Sequence, residues 1–290
     1  KNSERNVGIA PPQIKKLQSA CDIMLPEGVD SFADMFVRTK QPRNKFVPET
    51  FTLKSSHKAM KHGLLHAGDI AARSSKMAHI LQQIKQSSGI IFIHTQSVQN
   101  TALALAYVLE RNGMTSIQKE RMFTCPQDTS VLKGQYVLLT RTYDIKQRNK
   151  VFDLMRHASN KNGSKIKVII GSDFVQQGVD FKFIRQVHVM NPWYNVSKND
   201  QIIGRGIRNC SHIDLPIEQR NCQIFVHCAW NPSMKHETID LHLMRIAEKK
   251  AKTTGIIYRI LKENAADCRL FIPLMVFTDS MIQVKGFNMI

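Results

Sequence analysis

An α/β fold with a parallel sheet covered by helices on both faces is predicted by three observations. Short continuous apolar runs, IIFIH at 90–94, YVLLT at 136–140 and IKVII at 166–170, have the character of strands buried on both sides. Between them stand segments whose apolar residues recur at helical spacing. Cap and turn residues punctuate the boundaries, and strands that alternate with helices build a parallel sheet.

Residues 1–65 carry little periodicity. Proline, glycine and charge interrupt every stretch, so a connector is expected there, with one short helix around Ser31 to Val37. From Ser74 the pattern sharpens. Ser75 is placed to cap a helix with Met77, Ile80, Leu81 and Ile84 on one face, and Ser87-Ser88-Gly89 ends it. After the strand at 90–94, Ser97 is placed to cap a helix carrying Val98, Ala102, Leu105 and Leu109, with Asn112-Gly113 as its stop.

The alternation continues with the strand at 136–140, a helix at about 144–158 and the strand at 166–170. Then come a strand QVHVM at 186–190, a helix at 198–209 and a strand QIFVH at 223–227. Residues 237–264 form a long amphipathic helix or a helix pair, with Ile239, Leu243, Ile246, Ile256, Ile260 and Leu261 as its apolar positions. The expected division is a connector at 1–65, an α/β domain at 66–230 and a helical tail at 231–290.

Composition narrows the function classes. Across 290 residues, 41 Lys and Arg against 23 Asp and Glu leave a formal charge of +18, which points to a polyanion, nucleic acid first, as partner. A hydrophobic content of 42% excludes compositional disorder. Six cysteines form no CxxC pair, as expected of reduced thiols in a cytosolic or nuclear compartment. Cys210, Cys222, His227 and Cys228 match no common zinc spacing. No run of 18 apolar residues occurs, so neither a membrane-spanning helix nor a membrane partner is expected. The opening KNSERNVGIAPPQ lacks an initiator methionine and an apolar targeting segment, as a piece of a longer protein would.

QIIGRGIRNCSH at 201–212 places two glycines beside paired arginines. At 100° per residue Gln201, Arg205 and Arg208 share one sector, while Ile202, Ile203 and Ile207 lie opposite and hold the helix to the sheet. Ser197-Lys198-Asn199-Asp200 gives the helix a start like a capping box. Two guanidiniums aimed the same way suit a phosphate, and Gly204 at the edge of the sector leaves room for a ligand. An amphipathic surface helix with exposed arginines has the same pattern. Upstream, IKVIIGSDFVQQGVDF is a strand followed by a loop with Ser172, Asp173, Gly178 and Asp180, and ligands of open α/β sheets bind at the carboxyl ends of strands.

Strand, Gly-Ser-Asp, Gln-Gly-x-Asp, about twenty residues, then Gln-x-x-Gly-Arg-x-x-Arg resembles motifs V and VI in the second RecA-like lobe of superfamily 2 helicases. IIFIHTQS resembles motif IV, and the likeness covers roughly residues 70–230. RNCSHIDLPIEQRNCQIFVH and LKENAADC narrow it to the viral branch of poxviruses, asfarviruses and other large DNA viruses. Within that branch it runs first to the helicase-type small subunits of early transcription factors and second to the nucleoside triphosphatase I group.

The resemblance implies a RecA-like sheet with helices on both faces and a C-terminal helical tail. It implies Arg208 as an arginine finger on the γ-phosphate and Arg205 as a second phosphate or cleft-bridging group. Gln201, Gly204, Gly178 and Asp180 would serve the nucleotide, and Ser172, Thr95 and Thr140 the phosphates of a tracked strand. ATP with Mg²⁺ would be held mainly by a first RecA-like lobe of the same protein, because these 290 residues contain neither GxxxxGK[ST] nor a DEAD-like stretch. By itself this part is expected to be inactive.

Expected partners are that lobe, nucleic acid with DNA ahead of RNA, and a viral RNA polymerase or a transcription factor subunit. Early transcription in the virion and the host cytoplasm is the expected setting. The rival from another class is a non-catalytic helicase-like module that grips nucleic acid or a transcription complex. A small-molecule enzyme is disfavoured, because GxGxxG and a nucleophile elbow are both missing. His94, His188 and His227 fall within strand patterns as sheet histidines, and Trp193 and Tyr194 are expected to pack under the 198–209 helix rather than stack on a base.

Overall fold

A computed structural model describes residues 10–39, 50–56, 65, 68–117, 121–124, 132–139, 145–172, 181–233 and 235–266. Six parallel strands form the sheet: β3 (Ile90–His94), β4 (Thr115–Ser116), β5 (Gln135–Leu139), β6 (Ile166–Gly171), β7 (Ile184–Val189) and β8 (Gln223–Val226), in the order β4-β5-β6-β3-β7-β8. The three continuous apolar runs are its centre. Alternate residues of β3 divide between two cores. Ile91 and Ile93 join Tyr136, Leu138, Val168 and Ile170 on one face, and Ile90 and Phe92 join Val137, Ile169 and Val187 on the other.

Helices cover both faces, so the expected α/β fold with a parallel sheet is present. On the first face lie α3 (Ser75–Gln86) and α4 (Leu103–Arg111), and on the second α5 (Ile145–Arg156) and α6 (Val196–Gly206). Ser97 caps the α4 segment as expected, its side chain accepting from Asn100 N, although the first turn, Val98–Ala102, is wound as a π-helix. The cap of α3 is Ser74 rather than Ser75: Ser74 Oγ accepts from Met77 N at 3.1 Å and donates to Asp22 O at 2.5 Å.

Residues 10–39 and 50–56 hold more regular structure than their sequence pattern suggests. Helix α1 (Pro11–Asp22) has proline in its first turn, and the expected Ser31 to Val37 helix is a 3₁₀ turn, Phe32–Met35, followed by strand β1 (Phe36–Arg38). β1 pairs antiparallel with β2 (Phe51–Leu53), and Phe32, Phe36 and Phe51 cluster with Tyr107 of α4 and Phe123. A short helix α2 (Ile70–Arg73) precedes α3.

The 237–264 pattern resolves as one 25-residue helix, α7 (Ile239–Glu263), begun by Thr238 as cap. Its first half packs Leu243 and Ile246 against Ile14 of α1 and against Trp193 and Tyr194; from Ala251 to Asn264 it is exposed. Trp193 and Tyr194 thus pack against α1 and α7, not simply under α6. Lys198 and Lys250 each lie 4.5 Å from one ring centroid, over Trp193 and Tyr194 respectively. Among the described residues no helix is long and apolar enough to cross a membrane.

Candidate nucleotide and nucleic-acid site

The carboxyl edge of the sheet brings the ends of β6, β3 and β7 together. Thr95 N donates to Gly171 O at 2.9 Å and Met190 N to His94 O at 2.9 Å, which fixes the exits of three neighbouring strands beside one another. Thr95 is fully buried there. Its hydroxyl donates to Asn191 Oδ1 at 3.1 Å and accepts from Ser97 N at 3.4 Å, so it turns into the fold and not toward a phosphate. Ser172, directly after β6, is 8% exposed. Thr140, Gly178 and Asp180, together with Asp173, lie outside the described residues.

Asn191 is a residue that sequence reasoning missed. Its Oδ1 also accepts from Gln96 N at 3.0 Å, and its Nδ2 donates to Asp22 Oδ2 at 2.8 Å. Asp22 ends α1 and also accepts from Thr101 Oγ1 at 2.5 Å. Lys76 completes the cluster, with Nζ 2.9 Å from Asp22 Oδ1, 2.5 Å from Asp240 Oδ2 and 3.0 Å from Met190 O. Burial disfavours the Lys76 charge, but the two carboxylates outweigh it and hold the ammonium protonated above its ordinary value. A buried cation between two anions thereby ties α1, α3 and α7 to the exit of β7. Its only sequence signal is a lysine on the apolar side of α3.

From the β7 exit the chain enters α6, whose cap is Asn195, its side chain accepting from Ser197 N. The cap therefore lies upstream of the expected Ser197-Asp200 box. The helix ends at Gly206, not at 209. Gly206 is pressed on β7, where an added Cβ would stand 2.4 Å from Val187 Cγ2. Ile207 then leaves in an extended conformation, 45% exposed, so of the three isoleucines Ile202 is buried, Ile203 half-buried and Ile207 not held to the sheet.

Gln201 is exposed on α6, and one turn on, Arg205 is half-buried on the same side. Gly204 beside it faces open space, with nothing outside its own helix backbone and chain neighbours within 4 Å of an added Cβ. Arg208 is exposed but lies beyond the helix, in a turn where Arg208 N donates to Ser211 Oγ. That turn is moored to the start of β7: Phe183 N donates to Ser211 O at 3.1 Å, and His212 Nε2 lies 2.6 Å from Ile184 O. An 11-residue helix spans about 16 Å. Ser172 and Thr95 therefore sit at one edge of the sheet, and Arg208 at the level of the opposite one.

The histidines are packed, not poised. His188 Nδ1 and His227 Nε2 are 2.9 Å apart with their rings stacked, and His188 stacks on Phe225 as well. Burial first, then neighbouring imidazoles, lower the pKa of His188 to about 3 and of His227 to about 2. Burial also raises the thiols of Cys21 and Cys222 to about 11 and of Cys228 to about 12, so these are protonated. Among the described residues no three His, Cys, Asp or Glu side chains gather to hold a metal ion, and no Mg²⁺ ligand is assigned to them.

Residues 72–210 match the family described as the helicase conserved C-terminal domain. A protein of Acanthamoeba polyphaga mimivirus named as an ATP-dependent RNA helicase is 28% identical over 239 residues, covering 82% of this chain and 40% of its own length. The termination factor NPH-I homolog of African swine fever virus (Tick/Malawi isolate) is 25% identical over 292 residues, covering 88% of this chain and 41% of its own. The chain thus spans about two fifths of the length of these relatives. Among solved structures, the C-terminal part of the Fun30 ATPase domain aligns with a TM-score of 0.41 and 12% identity, over 64% of this chain and 54% of that one. The similarity of residues 72–210 is thus to the helicase conserved C-terminal domain, and over most of the chain to viral helicase-like proteins.

Proposed function

We propose that the chain is the second lobe of an ATP-driven nucleic-acid translocase or helicase, completed by a first RecA-like lobe that binds ATP and Mg²⁺. The carrying observation is the arrangement on and after α6: Gln201 and Arg205 on one side, open space at Gly204, and Arg208 exposed just past the helix. In this reading Arg208 reaches the γ-phosphate across the interlobe cleft and offsets charge that spreads over the phosphoryl oxygens, an effect on the order of 10³ to 10⁵ in rate. Arg205 bridges the cleft or meets a second phosphate, and Gln201 senses the nucleotide.

Gly178 and Asp180 shape the loop near the nucleotide, and Ser172 and Thr140 meet phosphates of the tracked strand. Thr95 is reassigned from that strand to a supporting position, because its hydroxyl already serves Asn191 and Ser97. ATP closes the lobes and hydrolysis opens them, so alternating grips move the protein along one strand, DNA ahead of RNA. Viral early transcription, beside an RNA polymerase or a transcription factor subunit in the virion and host cytoplasm, is the setting we propose.

The test compares the 290-residue chain alone with the same chain joined to a first lobe carrying the missing phosphate loop. Nucleic-acid-stimulated ATP hydrolysis is expected only in the joined protein. Hydrolysis by the 290 residues alone contradicts the division of labour.

A further inference from the structure

The amino edge of the sheet carries a second feature, outside the helicase motifs. Lysines precede each strand of the central four: Lys133 before β5, Lys161 and Lys165 before β6 and Lys182 before β7 stand in the entering loops, and Lys85 stands in the last turn of α3 before β3. All five are exposed, and among the described residues none has an ion-pair partner. Asp and Glu are absent from the described residues that lead directly into these strands, 87–89, 132–134, 157–165 and 181–183; Glu120, Asp128, Asp173 and Asp180 stand earlier in the same connections, outside the described residues. Because β5, β6, β3 and β7 are consecutive neighbours, the lysines form a row and not a scatter.

The loops are locked together beneath that row. Gly89 touches Arg185 so closely that an added Cβ would stand 2.1 Å from Arg185 Cγ, and Gly134 and Gly163 both lie against the Lys167 side chain. Lys167 Nζ donates to Ser87 O at 2.5 Å, while Arg185 is occupied by Asn221 O and Oδ1 at 3.0 and 2.8 Å. These two cations build the platform. Among the described residues the five exposed lysines have no comparable bond.

We infer that this amino-edge row is a docking surface for the phosphate backbone of duplex nucleic acid, additional to the strand contacts proposed at the carboxyl edge. Three interstrand gaps of about 4.8 Å make the row about 14 Å long. One strand of a duplex presents a phosphate for each 3.4 Å or so of axis, so the row faces about four of them. The surface suits backbone and not bases. Among the described residues it exposes no Phe, Tyr or Trp for stacking, since Phe181 and Phe183 are buried, and lysine contacts phosphate as a point charge without reading sequence. Lys85, in the last turn of α3, also offsets that helix's dipole, which leaves Lys133, Lys161, Lys165 and Lys182 as the informative four.

The test replaces those four by glutamine in the full chain and measures binding to a duplex of about 30 base pairs between 50 and 200 mM salt, with folding checked by circular dichroism. Each lost phosphate contact removes about 0.9 from the slope of log K against log salt, so the slope is expected to fall by about 3.6. Over that salt range wild type then loses about 100-fold more affinity than the variant. Acetylation footprinting supplies a second readout: the duplex is expected to shield these lysines in the folded wild-type chain, whether or not the variant folds. Unchanged slope and unshielded lysines overturn the inference. Shielding by a polyglutamate peptide but not by duplex also overturns it, and assigns the row to an acidic protein partner. Neither readout depends on Arg208 or on ATP turnover, so this inference and the proposed function fail separately.

Discussion

Gly206 and Val187 are in contact so close that a methyl group at position 206 would stand 2.4 Å from Val187 Cγ2. This explains one of the two glycines beside the paired arginines: α6 must touch β7 there, and the helix ends at the touch. Gly204, two residues earlier, faces open space. Gly206→Ala is expected to destabilise the fold by about 1–3 kcal/mol through overpacking. Gly204→Ala is expected to be neutral or to stabilise by up to about 1 kcal/mol through helix propensity. Urea unfolding of the two variants checks the contrast, and equal effects contradict it.

Lys76 predicts an asymmetry of a different kind. Removing it leaves Asp22 and Asp240 buried against each other, so Lys76→Ala is expected to cost about 3–5 kcal/mol. The triple change Lys76→Met, Asp22→Asn, Asp240→Asn removes the charges together and is expected to recover most of that loss. Thermal unfolding of both proteins measures it. A triple variant no better than the single one would show that hydrogen bonds to Thr101 and Asn191, not charge, dominate the cluster.

The His188–His227 pair sets a pH dependence. Both folded-state pKa values lie below the ordinary value near 6.5, so the unfolded chain binds more protons as pH falls. Stability from this pair is full above about 6.5 and is lost as pH falls below it, at about 1.4 kcal/mol per pH unit for each histidine. His79 and Lys76 add repulsion in the same direction. Replacing His227 by phenylalanine is expected to flatten the stability profile between pH 6.5 and 5. A profile as steep as that of wild type would place the titration elsewhere.

The central strands were legible because both of their faces are buried, which leaves an uninterrupted apolar run in the sequence. α1 was not, because PPQIKKLQSACD presents only Ile14 to an apolar cluster. Its anchors are polar and distant in sequence: Gln18 Nε2 donates to Pro192 O at 2.7 Å, and Asp22 meets Lys76, Thr101 and Asn191. No periodicity records such pairings. The order Gln201, Gly204, Arg205, Arg208 was legible as a motif, but a uniform 100° rotation carried the helix past Gly206, where contact with Val187 stops it. The same blindness to tertiary partners placed Thr95 at a ligand rather than under Asn191.

The most direct measurement is nucleic-acid-stimulated ATP turnover by the two-lobe protein, wild type beside Arg208→Ala, with ATP binding followed in parallel. The account predicts a fall in turnover on the order of 10³-fold or more with nucleotide affinity nearly unchanged. Unchanged turnover would contradict it, removing the arginine finger from position 208 and leaving a lobe that grips nucleic acid without contributing to the chemistry.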